Sequence, residues 1–400
     1  MKYIVIVPDG MADLPLEELG NKTPMEVART TNMKFMAQNG FTGLIQTIPD
    51  KMAPGSDIGN LSLLGYDPRE CFSGRAPLEA ANMGVELAED EIAFRCNLVT
   101  IEKGQMMDYS AGHISSKEAL PLIEALNKDP DDPNARFLPG KSYRHLMIMK
   151  VRNVQDFLEI KCVPPHDIQG KDIKKYLPQG VHAPLVLKHM ERSKKILGEH
   201  SVNKVRLDLK ENPANMIWLW GQGTKPKLPL HREKFGVEGA IISAVDLVNG
   251  IGRLAGLEVI NVPGITGYYD TNYLGKAQHA LEALKKKDFV YIHIEAPDEA
   301  GHNGDMKEKI AAIERIDRDI VGTILNHFDP KDDFRMVVLP DHPTPVSLRT
   351  HTNDPVPFVM YGHGIPVDGA DGYNEKIGKD KGLKFKSGKE MMEFFMQKHL

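Results

Sequence analysis

Short, mostly apolar runs that each end at an aspartate constrain the fold of this chain more than any other feature. YIVIVP precedes Asp9, FVYIHIEAP precedes Asp298, and RMVVLP precedes Asp341. Such runs are typical of strands in a parallel sheet that helices cover on both faces. Carboxylates at strand ends normally face the crevice in which open α/β sheets bind ligands. The sequence therefore predicts an α/β fold with a polar site at one edge of its sheet.

The chain has a regular part and an interruption. Helices are predicted over 23–39, 58–64, 273–287 and 307–326, and strands over 2–7, 43–48, 215–220, 237–242, 257–262, 289–295 and 334–339. The alternation is lost between about residues 85 and 212, a stretch that contains the proline-bearing turn KDPDDPN and ends with a helix over 184–198. Because 400 residues exceed one small core, we predict a core of residues 1–84 and 213–400. Residues 85–212 would form an inserted α+β domain.

Composition excludes several classes of protein. The net charge is −5 with both signs mixed, so no nucleic-acid partner is indicated. Three cysteines without a CxxC pair fit a reducing compartment better than a disulfide framework. No run approaches the roughly 20 apolar residues that span a membrane. We expect a cytoplasmic protein that binds neither nucleic acid nor membrane.

Seven residues that can hold metal ions are spread over the chain, mostly just after the apolar runs. They are Asp9, Ser56, Asp298, His302, Asp341, His342 and His351. Oxygen and imidazole ligands without thiolate suit Mn²⁺, Mg²⁺ or Zn²⁺. Two clusters of such ligands beside one serine would form a binuclear site for phosphoryl transfer.

Each of these residues also has a simpler interpretation. Asp298 and His302 share one face if a helical turn begins there, but Asp298 could equally cap a helix. Asp341 and His342 point to opposite sides of an extended chain, which suits two neighbouring ions, yet DHPTP is also a good turn. His351 fits a solvated loop, and Asp9 fits a loop or a cap. The combination, rather than any single residue, indicates the metal site.

Ser56 lies in PGSDIGN, immediately before a predicted short helix. The free N–H groups and positive dipole end of that helix would favour a phosphate near this serine. A hydroxyl beside a metal ion becomes a nucleophile more readily. Serine is also a common helix cap, and the two roles are compatible.

A larger set of motifs carries a family resemblance over nearly the whole chain. The set includes PGSDIGNLSLLGYDP, GRAPLEAANMGVEL, FRCNLVT, VPGITGYYDT, DEAGHNGD and IERID. In this order they resemble the archaeal-type cofactor-independent phosphoglycerate mutases of the alkaline phosphatase superfamily. The resemblance implies an alkaline-phosphatase-like core with a substrate-binding lid. It implies one ion held by Asp9, Ser56, Asp341 and His342, and a second held by Asp298, His302 and His351.

The same resemblance implies an activity. Ser56 would accept a phosphoryl group and return it, which interconverts 2-phosphoglycerate and 3-phosphoglycerate in glycolysis. Two divalent metal ions, Mn²⁺ or Mg²⁺ before Zn²⁺, would be the cofactors, and 2,3-bisphosphoglycerate would not be needed. The partner would be a small phosphorylated substrate, and a homo-oligomer is compatible with the family.

The predicted lid departs from the family pattern. DYSAGHI stands at 108–114 where relatives read like DRRAGRI, and Trp220 stands where they tend to carry arginine. The remaining candidates for substrate contact are Asp108, His113, Arg75, Arg95, Arg144 and His166. The departure resembles a bacterial subgroup that has been proposed to act as homoserine kinase. A homoserine-type phosphotransferase of threonine biosynthesis, a metal-dependent phosphatase and a non-catalytic metal-binding protein therefore stay open as alternatives.

Overall fold

The computed structural model describes residues 1–128, 133–329 and 331–397, so most of the predicted KDPDDPN turn lies outside the described residues. The strands, in chain order, are β1 (Lys2–Pro8), β2 (Phe41–Ile45), β3 (Glu91–Glu102), β4 (Gln105–Asp108), β5 (Ala135–Leu138), β6 (Arg144–Lys150), β7 (Met216–Gly223), β8 (Gly239–Ile242), β9 (Glu258–Val259), β10 (Phe289–Ile294), β11 (Phe334–Val338), β12 (Val356–Gly362) and β13 (Leu383–Phe385).

The helices alternate with these strands in much of the chain. They are α1 (Pro24–Val27), α2 (Thr31–Gln38), α3 (Ser56–Leu63), α4 (Pro68–Cys71), α5 (Arg75–Asn82), α6 (Ser116–Asn127), α7 (Gln155–Leu158), α8 (Ala183–Gly198), α9 (Ser201–Asp208), α10 (His231–Phe235), α11 (Asp246–Leu254), α12 (Tyr273–Leu284), α13 (Ala296–Asn303), α14 (Met306–Arg315), α15 (Gly322–Leu325), α16 (Glu375–Lys381) and α17 (Gly388–Phe395). A π-helical segment, Ile316–Val321, joins α14 to α15. Short 3-10 turns lie at Glu17–Leu19, Pro165–Ile168 and Ile173–Tyr176.

The chain divides into two compact units, and the first consists of Met1–Phe72 together with Lys227–Leu400. Its eight-stranded sheet has the order β13-β2-β12-β11-β1-β10-β8-β9. The neighbours β11, β1, β10, β8 and β9 are all parallel, whereas β12 runs antiparallel to both of its neighbours. The predicted mostly parallel α/β sheet is therefore confirmed.

Helices cover both faces of this sheet. Ile4 and Ile292 pack in one apolar cluster with residues of α2, α12 and α14, such as Met33 and Ala312. On the opposite face, the Tyr291 hydroxyl donates a hydrogen bond of 2.6 Å to Asn60 of α3. Every residue of β10 and β11 is buried, as the near-continuous apolar runs predict.

The second unit, Ser73–Pro226, contains a five-stranded antiparallel sheet with helices. Its long strand β3 pairs with β4, β6 and β7, and β5 pairs with β6. Phe94, Met147 and Trp218 pack in its core with apolar residues of α6 and α8. This unit is the inserted α+β domain that the sequence predicts.

Both predicted boundaries of the insertion are displaced in the structure. The second unit begins at residue 73 and ends at residue 226. The predicted insertion begins at residue 85 and ends at residue 212. Helix α5 packs through Ala76 and Ala80 against β3 and β6, and β7 pairs with β3. The strand predicted over 215–220 exists, but its assignment to the core sheet was wrong because its hydrogen-bonding partner is in the inserted unit.

Other elements also differ from their predictions. The helix predicted over 23–39 is two helices, because Ala28 adopts an extended conformation after α1. The helix predicted over 307–326 is interrupted by the π-helical segment. Strand β12 and helices α16 and α17 complete the core without having been predicted. In the part of the chain that is described, no helix has the combined length and apolarity needed to cross a bilayer.

Candidate active site

Three carboxylates meet at the edge of the sheet where β1, β10 and β11 end. The strand ends are level, since Pro8 pairs with Ile294 and Ile6 pairs with Val338. Asp9 follows β1 directly, Asp341 follows β11 after two residues, and Asp298 lies in the first turn of α13. Asp9 and Asp341 are 0% exposed and Asp298 is 5% exposed. The structure thus brings together side chains from both ends of the chain.

Ser56 lies against this carboxylate group as the first residue of α3. Its hydroxyl donates a hydrogen bond of 3.2 Å to Asp9 Oδ2 and lies 3.4 Å from His342 Nε2. Gly55, not Ser56, is the N-cap of the helix, and no side chain caps it. The hydroxyl is therefore free of the capping role that serine often plays, and it is held between two of the predicted metal ligands.

Asn60 fixes α3 to the strand ends. Its side-chain amide donates bonds of 2.8 Å to the Ser56 carbonyl and of 2.8 Å to Asp341 Oδ2. Tyr291 of β10 donates to the Asn60 side-chain oxygen in turn. This chain of buried hydrogen bonds determines where the Ser56 hydroxyl lies relative to Asp341.

A second cluster forms around Asp298. His302, four residues later on α13, places Nε2 3.3 Å from Asp298 Oδ2, and His351 places Nε2 3.5 Å from Asp298 Oδ1. The hydroxyl of Thr344 also donates to Asp298. Although burial raises the pKa of Asp298, its hydrogen bonds with the two histidines hold that pKa well below its usual range. The same bond raises the pKa of His302 to about 9.

The imidazoles are oriented with Nε2 towards the carboxylates. His302 Nδ1 lies 3.1 Å from the Arg349 carbonyl, and His351 Nδ1 lies 3.3 Å from the Pro54 carbonyl. A carbonyl can only accept, so Nδ1 carries the hydrogen in both rings and the Nε2 lone pair of the neutral ring is available to a metal ion. Such second contacts are typical of metal-ligating histidines.

His342 faces both clusters. Its Nε2 lies 3.4 Å from Asp9 Oδ1 and 3.6 Å from Asp341 Oδ2. His342, Asp298 and His351 can also each offer one atom to a shared metal ion, since these atoms lie within 4.8 Å of one another. Burial lowers the pKa of His342. This neutral imidazole is therefore suited to either neighbouring ion.

Negative charge is concentrated at the centre of the site. Burial raises the pKa of Asp9, and the carboxylates of Asp341, Asp298 and Glu295 raise it further. Asp9 Oδ1 is buried and has no hydrogen-bond partner among the described residues. Buried carboxylates this close are stable only when a proton or a cation offsets their repulsion. The donor set of oxygens and imidazole nitrogens fits divalent cations.

Two residues of this site were missed by the sequence analysis. His293 is 0% exposed, with Nε2 3.0 Å from Asp9 Oδ2. Carboxylate oxygens of Glu295, Asp9 and Asp298 lie within 4.8 Å of one another. Burial raises the pKa of Glu295 to about 8. Both are polar positions spaced two apart within the apolar run FVYIHIE. Polar residues that recur on one face of a buried strand were the available signal.

Most of the predicted substrate-contact residues form a cationic and aromatic cluster in the second unit. The Arg95 guanidinium lies 4.1 Å over the Trp220 ring and 2.9 Å from Glu79. His166 is 5.4 Å from the same indole, and Arg144 lies 5.6 Å over Tyr143. Burial, then the positive charges of Arg75 and Arg144, lower the pKa of Arg95. Several cations thus share one neighbourhood, which favours an anionic ligand.

Asp108 and His113 lie in a turn beside this cluster. The Asp108 carboxylate accepts bonds of 2.7 Å from the Ser110 and Gly112 amides and of 2.8 Å from Asn212. Although burial raises the pKa of Asp108, these hydrogen bonds lower it overall. The His113 ring is 6.0 Å from that of Tyr143. Asp108 therefore stabilises the turn, and a direct contact with substrate stays a prediction.

Comparisons with known proteins agree on one family. Residues 37–203 match the family model described as 2,3-bisphosphoglycerate-independent phosphoglycerate mutase. A protein of that name from Methanothrix thermoacetophila is 49% identical over 397 residues, which cover 99% of this chain and 100% of the relative. Another from Methanosarcina acetivorans is 52% identical over 383 residues, covering 95% and 96%.

A solved structure is similar over nearly the whole chain. A protein from Pyrococcus horikoshii superimposes with a TM-score of 0.84 at 30% identity, over 99% of this chain and 96% of the other. The similarity spans nearly the full length of every chain compared. The chain belongs to the 2,3-bisphosphoglycerate-independent phosphoglycerate mutase family.

Proposed function

We propose that this protein is a metal-dependent phosphoglycerate mutase that interconverts 3-phosphoglycerate and 2-phosphoglycerate through phosphorylated Ser56. The observation that carries the proposal is the position of the Ser56 hydroxyl, 3.2 Å from Asp9 and 3.4 Å from His342 at the start of a helix. The names of the relatives supply the substrate, and the site supplies the reaction type.

In the first step, Ser56 Oγ attacks the phosphorus of the bound phosphate ester. The Oγ–P bond forms, the bond from phosphorus to the C3 oxygen breaks, and the proton that the Ser56 hydroxyl loses is balanced by the proton that the C3 oxygen gains as the C3 hydroxyl. Asp9 orients the nucleophile because it accepts the hydrogen bond of the Ser56 hydroxyl. Ser56 is the first residue of α3, so the free N–H groups at the start of this helix favour negative charge near its hydroxyl.

In the second step, the C2 hydroxyl attacks phosphorylated Ser56. The new O–P bond forms, the Oγ–P bond breaks, and Ser56 regains its proton. No separate phosphate donor is consumed, so 2,3-bisphosphoglycerate is not required. Asn60 holds Ser56 and Asp341 in one arrangement through both steps, since its amide bonds to each.

Two divalent cations fit the two groups of donors. Asp9, Ser56, Asp341 and His342 would hold one, and Asp298, His302 and His351 would hold the other. When bound, such ions offset the negative charge that develops on the transferring phosphoryl group. Mn²⁺ and Mg²⁺ suit the oxygen-rich set, and Zn²⁺ suits the imidazoles.

The second unit carries a cationic cluster of its own that is suited to an anionic ligand. Both phosphoglycerates carry a carboxylate, and the planar Arg95 guanidinium is able to bind a carboxylate in bidentate geometry. Trp220 and Glu79 hold Arg95, while Arg75 and Arg144 add positive charge around it. Burial lowers the pKa of His166, so this ring is a neutral neighbour of the cluster. The 108–114 turn lacks the arginines of the family pattern, and Arg75, Arg95 and Arg144 lie on α5, β3 and β6 of the same unit.

Homoserine phosphorylation is the competing activity, because the turn differs from the family pattern. Homoserine shares a carboxylate with the phosphoglycerates but carries an ammonium group and no phosphate, so a cluster of Arg75, Arg95 and Arg144 suits the more anionic phosphoglycerates better. A phosphatase would require water to reach phosphorylated Ser56 before the acceptor hydroxyl. The cluster favours the mutase over the kinase on electrostatic grounds.

An enolase-coupled assay with 3-phosphoglycerate tests the proposal. The wild-type protein with Mn²⁺ should turn the substrate over, and Ser56→Ala should lose activity by at least about a hundredfold, as expected when a nucleophile is removed. Ser201→Ala is the matched control, because Ser201 is also the first residue of an eight-residue helix but is exposed. It should keep full activity.

The assay also separates the alternatives. Turnover of homoserine with ATP, without conversion of 3-phosphoglycerate, would replace the mutase proposal with the kinase. Release of inorganic phosphate as the sole product would replace it with the phosphatase. Full activity in Ser56→Ala would refute the role of Ser56 whichever substrate is used.

A further inference from the structure

Two buried polar atoms near Ser56 have no hydrogen-bond partner in the part of the chain that the structure describes. They are Oδ1 of Asp9 and Nε2 of His293, and both residues are 0% exposed. An unpartnered polar atom in a fully buried position is costly and rare in a native structure. The two atoms belong to neighbouring side chains, so one ligand placed near both would satisfy them together.

The relationship between these side chains is not that of a hydrogen-bonded pair. His293 Nε2 lies 3.0 Å from Asp9 Oδ2, yet the directional criteria of a hydrogen bond are not met there. Two ligands bound side by side to one cation at about 2.1 Å would themselves be about 3 Å apart. Asp9, His293 and Asp341 can each offer one atom within 4.8 Å of the others.

The remaining contacts of His293 fix its ring in this orientation. Its Nδ1 lies 3.3 Å from Ser243 Oγ, and that hydroxyl oxygen also accepts the Val245 N–H at 3.0 Å. The ammonium group of Lys276 donates a bond of 2.6 Å to the His293 carbonyl, which holds the backbone. An Nδ1–H that donates to Ser243 leaves the Nε2 lone pair directed towards Asp9, as in other metal-ligating histidines.

We propose that His293 is a metal ligand through Nε2, on the cation that Asp9 and Asp341 hold beside Ser56. This inference rests on the two-cation site of the proposed function and adds a residue to it. An imidazole on an otherwise oxygen-rich site raises the affinity for Co²⁺, Zn²⁺ and Mn²⁺ relative to Mg²⁺. His293 therefore sets metal preference at the nucleophile's ion, and Ser243 positions its ring.

Calorimetric titration of the chelator-stripped full-length protein with Co²⁺, and separately with Mg²⁺, tests the proposal. Wild-type protein should bind two Co²⁺ ions. In His293→Gln, one of the two Co²⁺ ions should bind at least about tenfold more weakly, since even loss of an outer contact costs that much. Mg²⁺ affinity should change much less, because glutamine retains an oxygen donor.

His231→Gln is the matched control for the loss of a buried histidine. His231 is 1% exposed in the same unit, and its ring packs 4.3 Å from Phe289 and 4.8 Å from Phe235 rather than against carboxylates. Its variant should bind both ions as wild type does. Circular dichroism of each metal-free variant checks folding. If His293→Gln does not fold, Ser243→Ala should weaken Co²⁺ in the same direction, and unchanged Co²⁺ binding in that variant would overturn the proposal.

The outcomes separate this inference from the proposed function. Two ions in the wild type with unchanged Co²⁺ affinity in folded His293→Gln would overturn the role of His293 and leave the two-cation site intact. An equal loss of Co²⁺ and Mg²⁺ affinity in His293→Gln would also overturn the proposal, because it would show that His293 orients Asp9 and does not bind the metal ion. A wild-type protein that binds no pair of ions would overturn the proposed function together with this inference.

Discussion

The Nε2 atoms of His302 and His351 lie 2.9 Å apart, although the Nδ1 atom of each ring faces a backbone carbonyl. In neutral rings with this orientation, two lone pairs oppose each other at hydrogen-bond distance. Only a proton or a metal ion between them makes the arrangement favourable. The folded site is therefore built to bind a cation, and its stability should depend on one.

The first prediction concerns metal removal. Treatment with a chelator should lower the melting temperature, and Mn²⁺ should restore it, because a ligand that binds only the folded state stabilises it by about 2.7 kcal/mol at a hundred times its dissociation constant. Scanning calorimetry measures the shift. His302→Ala should respond less to Mn²⁺, whereas the control His327→Ala, at an exposed position of the same unit, should respond fully. Equal melting temperatures with and without metal would contradict the prediction.

A second prediction follows from the close approach of the backbone at Gly10. Its φ is +61°, and a Cβ there would lie 2.6 Å from Asp298 Oδ1 and 2.5 Å from Thr344 Oγ1. Gly10→Ala should therefore push Asp298 aside, weaken metal binding and destabilise the fold by about 1–3 kcal/mol beyond the backbone strain.

Gly20 provides the control for Gly10. Its φ is +66°, but a Cβ would meet no atom within 4 Å. Gly20→Ala should cost only the left-handed backbone strain of about 1–2 kcal/mol and leave the metal titration unchanged. Urea denaturation and metal titration of both variants make the comparison. Equal effects on metal binding would show that contact with Asp298 is not what requires glycine at position 10.

The third prediction concerns the buried Lys309–Asp13 ion pair beneath the site. Lys309 is 0% exposed and donates bonds of 2.7 Å to Asp13 Oδ2 and 2.8 Å to the Thr344 carbonyl. Lys309→Met would leave the Asp13 carboxylate buried without its cation, which typically costs about 3–5 kcal/mol. Lys307→Met, on the exposed face of the same helix, should cost almost nothing. A Lys309→Met variant as stable as wild type in urea would contradict this account.

The fourth prediction concerns the pH dependence of stability. Burial raises the pKa of Glu375 from the ordinary value of 4.5 to about 7, although the Thr23 hydroxyl and the Asp13 amide both donate to its carboxylate. Between those values the folded chain binds a proton that the unfolded chain has lost. The contribution of Glu375 to stability is therefore fully present below pH 4.5 and is lost as pH rises through about 7.

Glu375→Gln removes this dependence because glutamine does not titrate. The free energy of unfolding of wild type, measured in urea relative to the variant, should fall as pH rises across that window and then level off. Glu393→Gln, at an exposed position of α17, is the charge-matched control and should show no such trend. A wild-type advantage that rises with pH would reverse the expected sign and exclude a protonated Glu375 in the fold.

Sequence alone was sufficient for the parts of the fold that local patterns specify. The apolar runs before Asp9 and Asp341 form the parallel strands β1 and β11. Because these strands end at the same edge of the sheet, the two carboxylates lie together where open α/β sheets bind ligands. Asp298 and His302 both lie on helix α13. Positions four apart share one face of a helix, so their sequence spacing predicts that the two side chains meet.

Pairing between distant strands was not predictable in the same way. Strand β7 has the composition of a core strand, but its partner is β3 of the inserted unit, and no local pattern encodes that choice. His293 was missed because it lies within β10, whereas most of the predicted ligands follow the strands. Trp220, identified only as a missing arginine, lies under the Arg95 guanidinium.

The most direct measurement of the central claim is to trap the phosphorylated enzyme. Wild-type protein loaded with Mn²⁺, mixed with radiolabelled 3-phosphoglycerate and quenched in acid, should carry label on the peptide that contains Ser56. Asp298→Asn should retain much less label, and Ser201→Ala should retain as much as wild type. Label on another residue, or rapid mutase turnover with no covalent label at any time point and full activity in Ser56→Ala, would contradict the account.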